Sequence, residues 1–491
     1  MNRLYLQVCG WITAGLSLWG TSQATEVWPG FRGRGDSHLD GGQLPWSWEA
    51  RGQVQGNWSI RLKGYGQSSP VVWKNVVYVT SISGEMKEHL HLFAFHLADG
   101  ALLWEKEFSA TQKVKDSDTV SRGAPTPVVD DGHVYAMFES GDLFALDHSG
   151  NLKWERSIVK DYGEFKGPHG YASSPLLVND LCVIQVAHAG PSYILALDRK
   201  TGQNRWKVDH PSQTGWSSPA VYDKAGQSQI LISTAGSVRS LNPENGATLW
   251  ISEEIQGNST ASPTVVGDLV VIGAATERGG GGGRRSGTTP PGATPSTSTT
   301  STAPAQTSQG EQPKDVTSKP PGPSGNESAG SPSSGERPQS PPSSKPTGSG
   351  VFRLDDRSAE QTRLVWKSDK VSSGYASPVV VGDFVYFVNR VGVVTCARLS
   401  DGAIQWQHRL PGEVWASPVA NNGHVTFFGK FGFVVTLKSG PQIEEVAESN
   451  ISTTEVVYGV AAVDNSWIVR TGRGLIRISD PSNTKPSSPT N

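Results

Sequence analysis

Residues 374–387 read GYASPVVVGDFVYF, and nearly the same phrase recurs as GYASSPLLVNDLCVI at 170–184, WSSPAV at 216–221 and WASPVA at 415–420. A phrase repeated at a fixed interval marks a fold built from stacked copies of one supersecondary unit. Seven copies open with Ser/Thr-Pro, at Pro70, Pro127, Pro175, Pro219, Pro263, Pro378 and Pro418. The steps from Pro175 to Pro219 and on to Pro263 are both 44 residues, and Pro378 to Pro418 is 40. That period suits a four-stranded propeller blade. The stretch SPVVVGDFVYFVNRVGVVTCARLSDGAIQWQHRL, 377–410, shows the punctuation: apolar strands separated by tight-turn pairs such as Gly382-Asp383 and Asp401-Gly402.

Each unit closes on a tryptophan. In ALDRKTGQNRW, 196–206, Gly202 and Asp198 precede Trp206 by four and eight residues, and Gly246 and Asn242 stand likewise before Trp250. Gly100 and Gly402 hold the same place before Trp104 and Trp406. A hairpin needing positive φ accounts for the glycine, and a large ring filling the wedge between blades accounts for the tryptophan. Trp58, Trp104, Trp154, Trp206, Trp250, Trp366 and Trp406 are therefore assigned structural roles.

Two irregularities refine the count. Pro263 and Pro378 are 115 residues apart, but removing the 72 residues from Gly279 to Gly350 leaves 43, one period. That segment is Gly/Pro/Ser/Thr-rich and too poor in apolar residues to offset its ordering entropy, so it reads as a disordered insertion at 279–350 within blade five. The slow growth of loop-closure cost with length lets the fold carry it. At the other end, YGVAAVDNSWIVRTGRGLIRISD, 458–480, supplies three strands without the proline or a closing tryptophan. GNWSIRL, with Asn57 to Leu62, belongs to no blade and resembles the end of blade six. Pairing it with Leu475 to Ser479 makes an eighth blade and removes the open edge of the ring. The expected fold is thus all-β: an eight-bladed propeller of four-stranded antiparallel blades, spanning 57–278 and 351–480, with the N-terminal strand completing the last blade.

Composition bounds the function. A formal net charge of −2 and 18% charged residues argue against nucleic-acid binding by phosphate neutralisation. The start, MNRLYLQVCGWITAGLSLWGTSQATEVW, has a basic Arg3, an apolar Leu4–Trp19 run and a small-x-small site at Ser22–Ala24, the pattern of a signal peptide over 1–24. The run is short for a membrane span, and Cys9 sits too early for a lipidation site. Residues 25–56 read as an extension and 481–491 as a disordered tail. An exported protein without a transmembrane segment after cleavage is expected, in the periplasm or outside a bacterial cell, and as a monomer. Cys182 and Cys396 lie in apolar strands with no CxxC spacing and read as buried free thiols.

WSSPAV, LALDRKTGQNRW and YASPVVVGDFVYF make the chain resemble the pyrroloquinoline-quinone (PQQ) repeat propellers, over about 57–278 and 351–479. That family includes quinoprotein dehydrogenases, a barrel-assembly subunit of the Gram-negative outer membrane and secreted propellers without assigned chemistry; WPGFRG, 28–33, resembles the start of the last group. A propeller of this kind displays the residues preceding each Ser-Pro around one mouth of its axial channel: Tyr65, Tyr171, Trp216, Tyr375, Trp415 and Tyr458, an aromatic collar. Such a collar either binds a ligand or simply fills the channel. Two longer loops add Asp116, Asp118 and Arg122, and Glu164, Lys166 and His169, near it.

The resemblance to dehydrogenases implies an Asp base, Ca²⁺ ligands and a cation at the quinone, parts that Asp118, Glu164, Arg122 and Lys166 are of the right type to play. The adjacent cysteine pair of many such enzymes and any CxxCH haem site are absent from the sequence. Lone histidines such as His169 and His188 do not make a zinc site, and no metal is expected. The reading favoured is a non-catalytic exported scaffold whose mouth (Tyr65, Arg122, Lys166, His169, Tyr171, Trp216, Tyr375, Trp415 and Tyr458) binds a protein, peptide or glycan partner of the cell envelope, with no resident cofactor. The alternative is a dehydrogenase of alcohols or sugars using PQQ and Ca²⁺.

Overall fold

The computed structural model describes residues 27–48, 57–211, 214–234, 237–255, 260–275, 348–354, 363–463 and 465–479. The expected signal peptide at 1–24, the expected tail at 481–491 and the expected insertion up to residue 347 lie outside the described residues.

Eight antiparallel sheets form the blades. Inner strands are packed on both faces by neighbouring blades, so Val76–Ser83 and Leu181–Val186 are buried along almost their whole length and mostly apolar. The outermost strand has only one covered face, and Leu102–Ser109 alternates between exposed and half-buried residues. Helix among the described residues is limited to one turn, Ile158–Tyr162.

Hydrogen bonds explain the repeated Ser/Thr-Pro. The backbone N–H of Ser69 donates to Thr126 Oγ1 at 3.0 Å, Thr126 to Ser174 Oγ at 3.0 Å, Ser174 to Ser218 Oγ at 2.9 Å and Ser218 to Ser262 Oγ at 2.9 Å. Ser262 then donates to Ser377 Oγ and Ser377 to Ser417 Oγ, both at 3.0 Å. Six links thus run around seven consecutive blades. They satisfy buried N–H groups at the crowded axis, where no strand partner exists, and the proline that follows has no N–H to satisfy. Blade eight breaks the pattern with Gly459, where a Cβ would overlap Ser69 Oγ.

The tryptophans join blades at the outer radius. The Nε1 of Trp58, Trp104, Trp154, Trp206, Trp366 and Trp406 donates to Leu97, His148, Arg199, Pro243, Leu399 and Gly440 carbonyls of the next blade, at 2.7–3.1 Å. Each ring also needs room within its own blade: Ala94, Ala145 and Ala196 face Trp104, Trp154 and Trp206 across the strand pair. Cys396 takes that slot opposite Trp406, which accounts for a cysteine at this position. Cys182 and Cys396 are free and buried. Burial pushes their thiols up to about 12 and about 11, out of the reactive range.

Closure occurs as the sequence predicts. Trp58–Arg61 pairs antiparallel with Gly474–Ser479, in the register Trp58 to Arg477 and Ile60 to Leu475. Leu62 N–H donates to Arg473 O at 2.7 Å and Ser479 N–H to Asn57 Oδ1 at 2.7 Å, fixing both ends of the ladder. Blade five is assembled from both sides of the insertion: Leu269–Ile272 pairs with Ser349–Arg353, which pairs with Leu364–Ser368. Ser349 and Gly350, read above as the end of the insertion, therefore belong to a strand. Their composition disguises it, and Gly350 is required there because a Cβ would stand 2.8 Å from Trp366 O.

The N-terminal extension has a location that no repeat signals. Val27–Trp28 adds to the innermost strand of blade one, with Trp28 opposite Val72, and His38–Leu39 adds in parallel to the innermost strand of blade seven. Between them Val129 N–H of blade two donates to Pro29 O at 2.8 Å. The buried Arg32 reaches Ser262 O (3.3 Å), Pro263 O (3.4 Å) and Thr264 Oγ1 (2.8 Å) of blade five. Blades one and five are diametrically opposed in an eight-membered ring, so WPGFRG crosses the axis. It does so near Trp73, the end of the inner strand remote from Pro70 and the collar. Burial lowers the Arg32 guanidinium to about 10, partly countered by Asp36. Arg32→Ala should lower the melting temperature by several degrees, about 3 kcal/mol for losing buried bonds to a charged group, as calorimetry would read.

Candidate functional site

Four of the predicted collar residues form one continuous arc. Tyr375 meets Trp415 edge-on at 5.2 Å between centroids, Trp415 meets Tyr458 at 5.9 Å, and Tyr458 meets Tyr65 at 6.0 Å with their hydroxyls 2.8 Å apart. The arc spans blades six, seven, eight and one. Burial and the Tyr458 hydroxyl raise the Tyr65 pKa, so the Tyr65 hydroxyl stays neutral.

Cations line the arc at cation–π distances. Arg390 stands 6.0 Å from the Tyr375 centroid, Lys430 4.5 Å from Trp415, and Arg122 and Arg473 4.7 and 5.8 Å from Tyr65. Lys430 is steadied by Glu413 at 2.9 Å, which also accepts the Trp415 indole N–H at 3.3 Å. The Lys430 hydrogen bond holds the Glu413 carboxyl below its usual range. Phe431, 59% exposed, extends the apolar surface beside Lys430.

Arg122 owes its place to the 111–123 loop. Asp116 and Asp118 hold its guanidinium at 2.7 and 2.8 Å; partial burial pulls its pKa down, but the two carboxylates outweigh that and raise it. The loop's base is pinned by the buried Glu139, which accepts the Gly123 N–H at 2.9 Å and pairs with Lys87 at 3.4 Å; Lys87 in turn donates to Ser121 O at 2.8 Å. Glu139→Gln should cost about 2 kcal/mol by weakening charge-assisted bonds to Gly123 and Lys87, read as faster proteolytic cleavage within 111–123 together with a modest fall in melting temperature.

The remaining predicted residues are dispersed. Trp216 and His169 form a separate pair at 5.8 Å, with Trp216 Nε1 donating to Gly170 O and His169 Nδ1 2.8 Å from Thr119 O. Lys166 is exposed and held by its backbone, its N–H donating to His188 Nδ1 and its carbonyl accepting the Ala189 N–H, both at 2.9 Å. Tyr171 is not part of the collar. It is 1% exposed, packed 5.0 Å from Phe165 and in one core cluster with Cys182. The long loop ahead of blade three folds Phe165 over it.

The profile of the outer membrane protein assembly factor BamB matches residues 40–207, 183–321 and 351–470, most of the chain. The chain belongs to the BamB family. BamB of Moranella endobia is 26% identical over 243 residues, 48% of this chain and 56% of that protein; BamB of Shewanella oneidensis is 23% identical over 219 residues, 44% and 50%. The chain spans about half the length of these relatives. Among solved structures, BamB from Moraxella catarrhalis superposes with a TM-score of 0.55 at 14% identity, covering 87% of this chain and 97% of that one. The quinohemoprotein alcohol dehydrogenase of Comamonas testosteroni gives 0.57 at 12% identity, covering 95% and 82%. These structures share the fold, which BamB proteins and quinoproteins have in common.

The residues cast for quinone chemistry do not fit it. Asp118, cast as the base, is engaged by Arg122, and neither it nor Glu164 belongs to any group of three or more metal-ligating side chains among the described residues. The two cysteines are buried in different blades rather than adjacent at the mouth.

Arg390, Lys430 and Arg473 were missed in the sequence, although their signal is periodic. They stand two, two and one residues before Gly392, Gly432 and Gly474, in the turn between second and third strands of blades six, seven and eight. Arg390 and Lys430 are in register from blade to blade, and Arg473 is displaced by one residue.

Proposed function

We propose that this protein is a non-catalytic scaffold of the bacterial cell envelope that holds a protein partner at the aromatic mouth. The observation that carries the reading is the Tyr375–Trp415–Tyr458–Tyr65 arc and its four cations, a rigid surface of large rings and positive charge. Aromatic side chains and arginine dominate the energetics of protein interfaces. The surface suits a segment with carboxylates and apolar side chains. The BamB relatives, named for outer membrane protein assembly, support a role in the envelope, and the sequence's signal peptide fits export.

The test is capture of partners from an envelope extract on immobilised protein, followed by affinity measurement with the purified partner. Trp415→Ala and Lys430→Glu should each weaken binding by about 30-fold, the effect of losing a hot spot of about 2 kcal/mol. Binding unchanged by both, or a bound quinone with dye reduction after incubation with PQQ and Ca²⁺, would overturn the reading.

A further inference from the structure

A second polar cluster lies outside the mouth, on the face of blade one that meets blade eight. His89 and His91 occupy alternate positions of the strand His89–His96, and Glu105 and Glu107 alternate positions of Leu102–Ser109. His91 lies directly opposite Glu107, and Phe93 opposite Glu105, so all four side chains share one face. Phe93 and Phe95 continue that row into the core formed with Trp467 and Leu475 of blade eight.

His91 is completely buried. Its Nε2 is 2.8 Å from Ser83 Oγ, which anchors the ring. Its Nδ1 has no hydrogen-bond partner, yet it faces the carboxylates, 3.2 Å from Glu105 Oε1 and 3.7 Å from Glu107 Oε2. These three donors lie within 4.8 Å of one another, and His89 Nδ1 is 2.8 Å from the other oxygen of Glu107. Lys63, two residues beyond the closing strand, reaches in from blade eight, with Nζ 2.6 Å from Glu107 Oε2 and 3.8 Å from Glu105 Oε1.

We propose that His91, Glu105 and Glu107, supported by His89, bind a zinc-class divalent cation, with the Lys63 ammonium as the competing cation. A buried imidazole whose far nitrogen is fixed by a hydroxyl presents its other lone pair in a defined direction, the arrangement of metal-ligating histidines. Mixed imidazole and carboxylate donors suit Zn²⁺ rather than Ca²⁺ or Mg²⁺, which take oxygen. All the ligands come from blade one, so the ion would replace an inter-blade ion pair and release Lys63 from the seam. The sequence hid the set because its two halves, HLH and EKE, are joined only by strand register.

The full chain would be titrated with ZnCl₂ by calorimetry and with Co²⁺ by visible absorption. One equivalent should bind, with the intense visible bands of tetrahedral Co²⁺. Glu107→Gln and His91→Gln should abolish both signals, Ser83→Ala should weaken binding by about tenfold through the lost anchor, and Lys63→Met should tighten it several-fold by removing the competitor. Absence of binding in both the parent and Lys63→Met overturns the proposal. So does stoichiometric binding that survives His91→Gln and Glu107→Gln, which would place the ion elsewhere. Lys63→Met leaves the buried histidine intact and keeps the test decisive should a His91 variant fail to fold.

Discussion

Replacing residues 58–62 with a Gly/Ser stretch of equal length should lower the melting temperature by on the order of 10 °C and promote self-association, because several large contacts disappear together. The Trp58 ring lies against Gly100 of blade one and donates to Leu97 O, Ile60 packs on the core shared by the first and last blades, and Leu62 is buried. The loss amounts to more than about 5 kcal/mol if each contributes as large-to-small core substitutions do. It also strips the partner from Gly474–Ser479, leaving an unpaired edge open to another chain. Calorimetry with size-exclusion chromatography reads both effects, and Ser59→Ala, at an exposed position of the same strand, serves as the neutral control. A melting temperature within about 2 °C of the parent would mean that the ring is held by the remaining seven seams alone.

The architecture was legible because its constraints are local and redundant. Ser-Pro, the hairpin glycine and the terminal tryptophan each answer to a contact that recurs from blade to blade, so one unit explains the rest. What those residues contact was harder to read. The hydroxyl of Ser218 satisfies a backbone group 44 residues away, and nothing in a single unit states that. The mouth was half legible for the same reason. The aromatic positions follow from the repeat, but Arg390, Lys430 and Arg473 belong to a different turn of the blade and converge on the rings only once the ring is closed. Tyr171 kept the register of the collar and lost its exposure to Phe165 of the loop ahead of its own blade. The axial crossing of WPGFRG was invisible, since strands of two residues carry no period; a buried arginine among glycines was its only mark.

Trp154 and Gly202 test the inter-blade wedge most directly. Gly202 has φ +71°, and a Cβ there would stand 2.7 Å from the Trp154 ring of the preceding blade. Gly202→Ala therefore meets two penalties, about 1–2 kcal/mol for the left-handed backbone and a comparable amount for the overlap with the ring. Trp154→Ala should cost about 3–5 kcal/mol through the lost packing, and it orphans the Arg199 carbonyl that now accepts the indole N–H at 3.0 Å. In the double variant the ring is gone, so Gly202→Ala adds only its backbone penalty on top of the tryptophan loss. The combined destabilisation should fall short of the sum of the single effects by about 1–2 kcal/mol, measured by denaturant unfolding of all four proteins. Strict additivity would show that the glycine is required by its backbone alone and that the ring does not press on it. The coupling predicted here would make the glycine–tryptophan spacing a two-blade constraint, which is why it recurs along the chain.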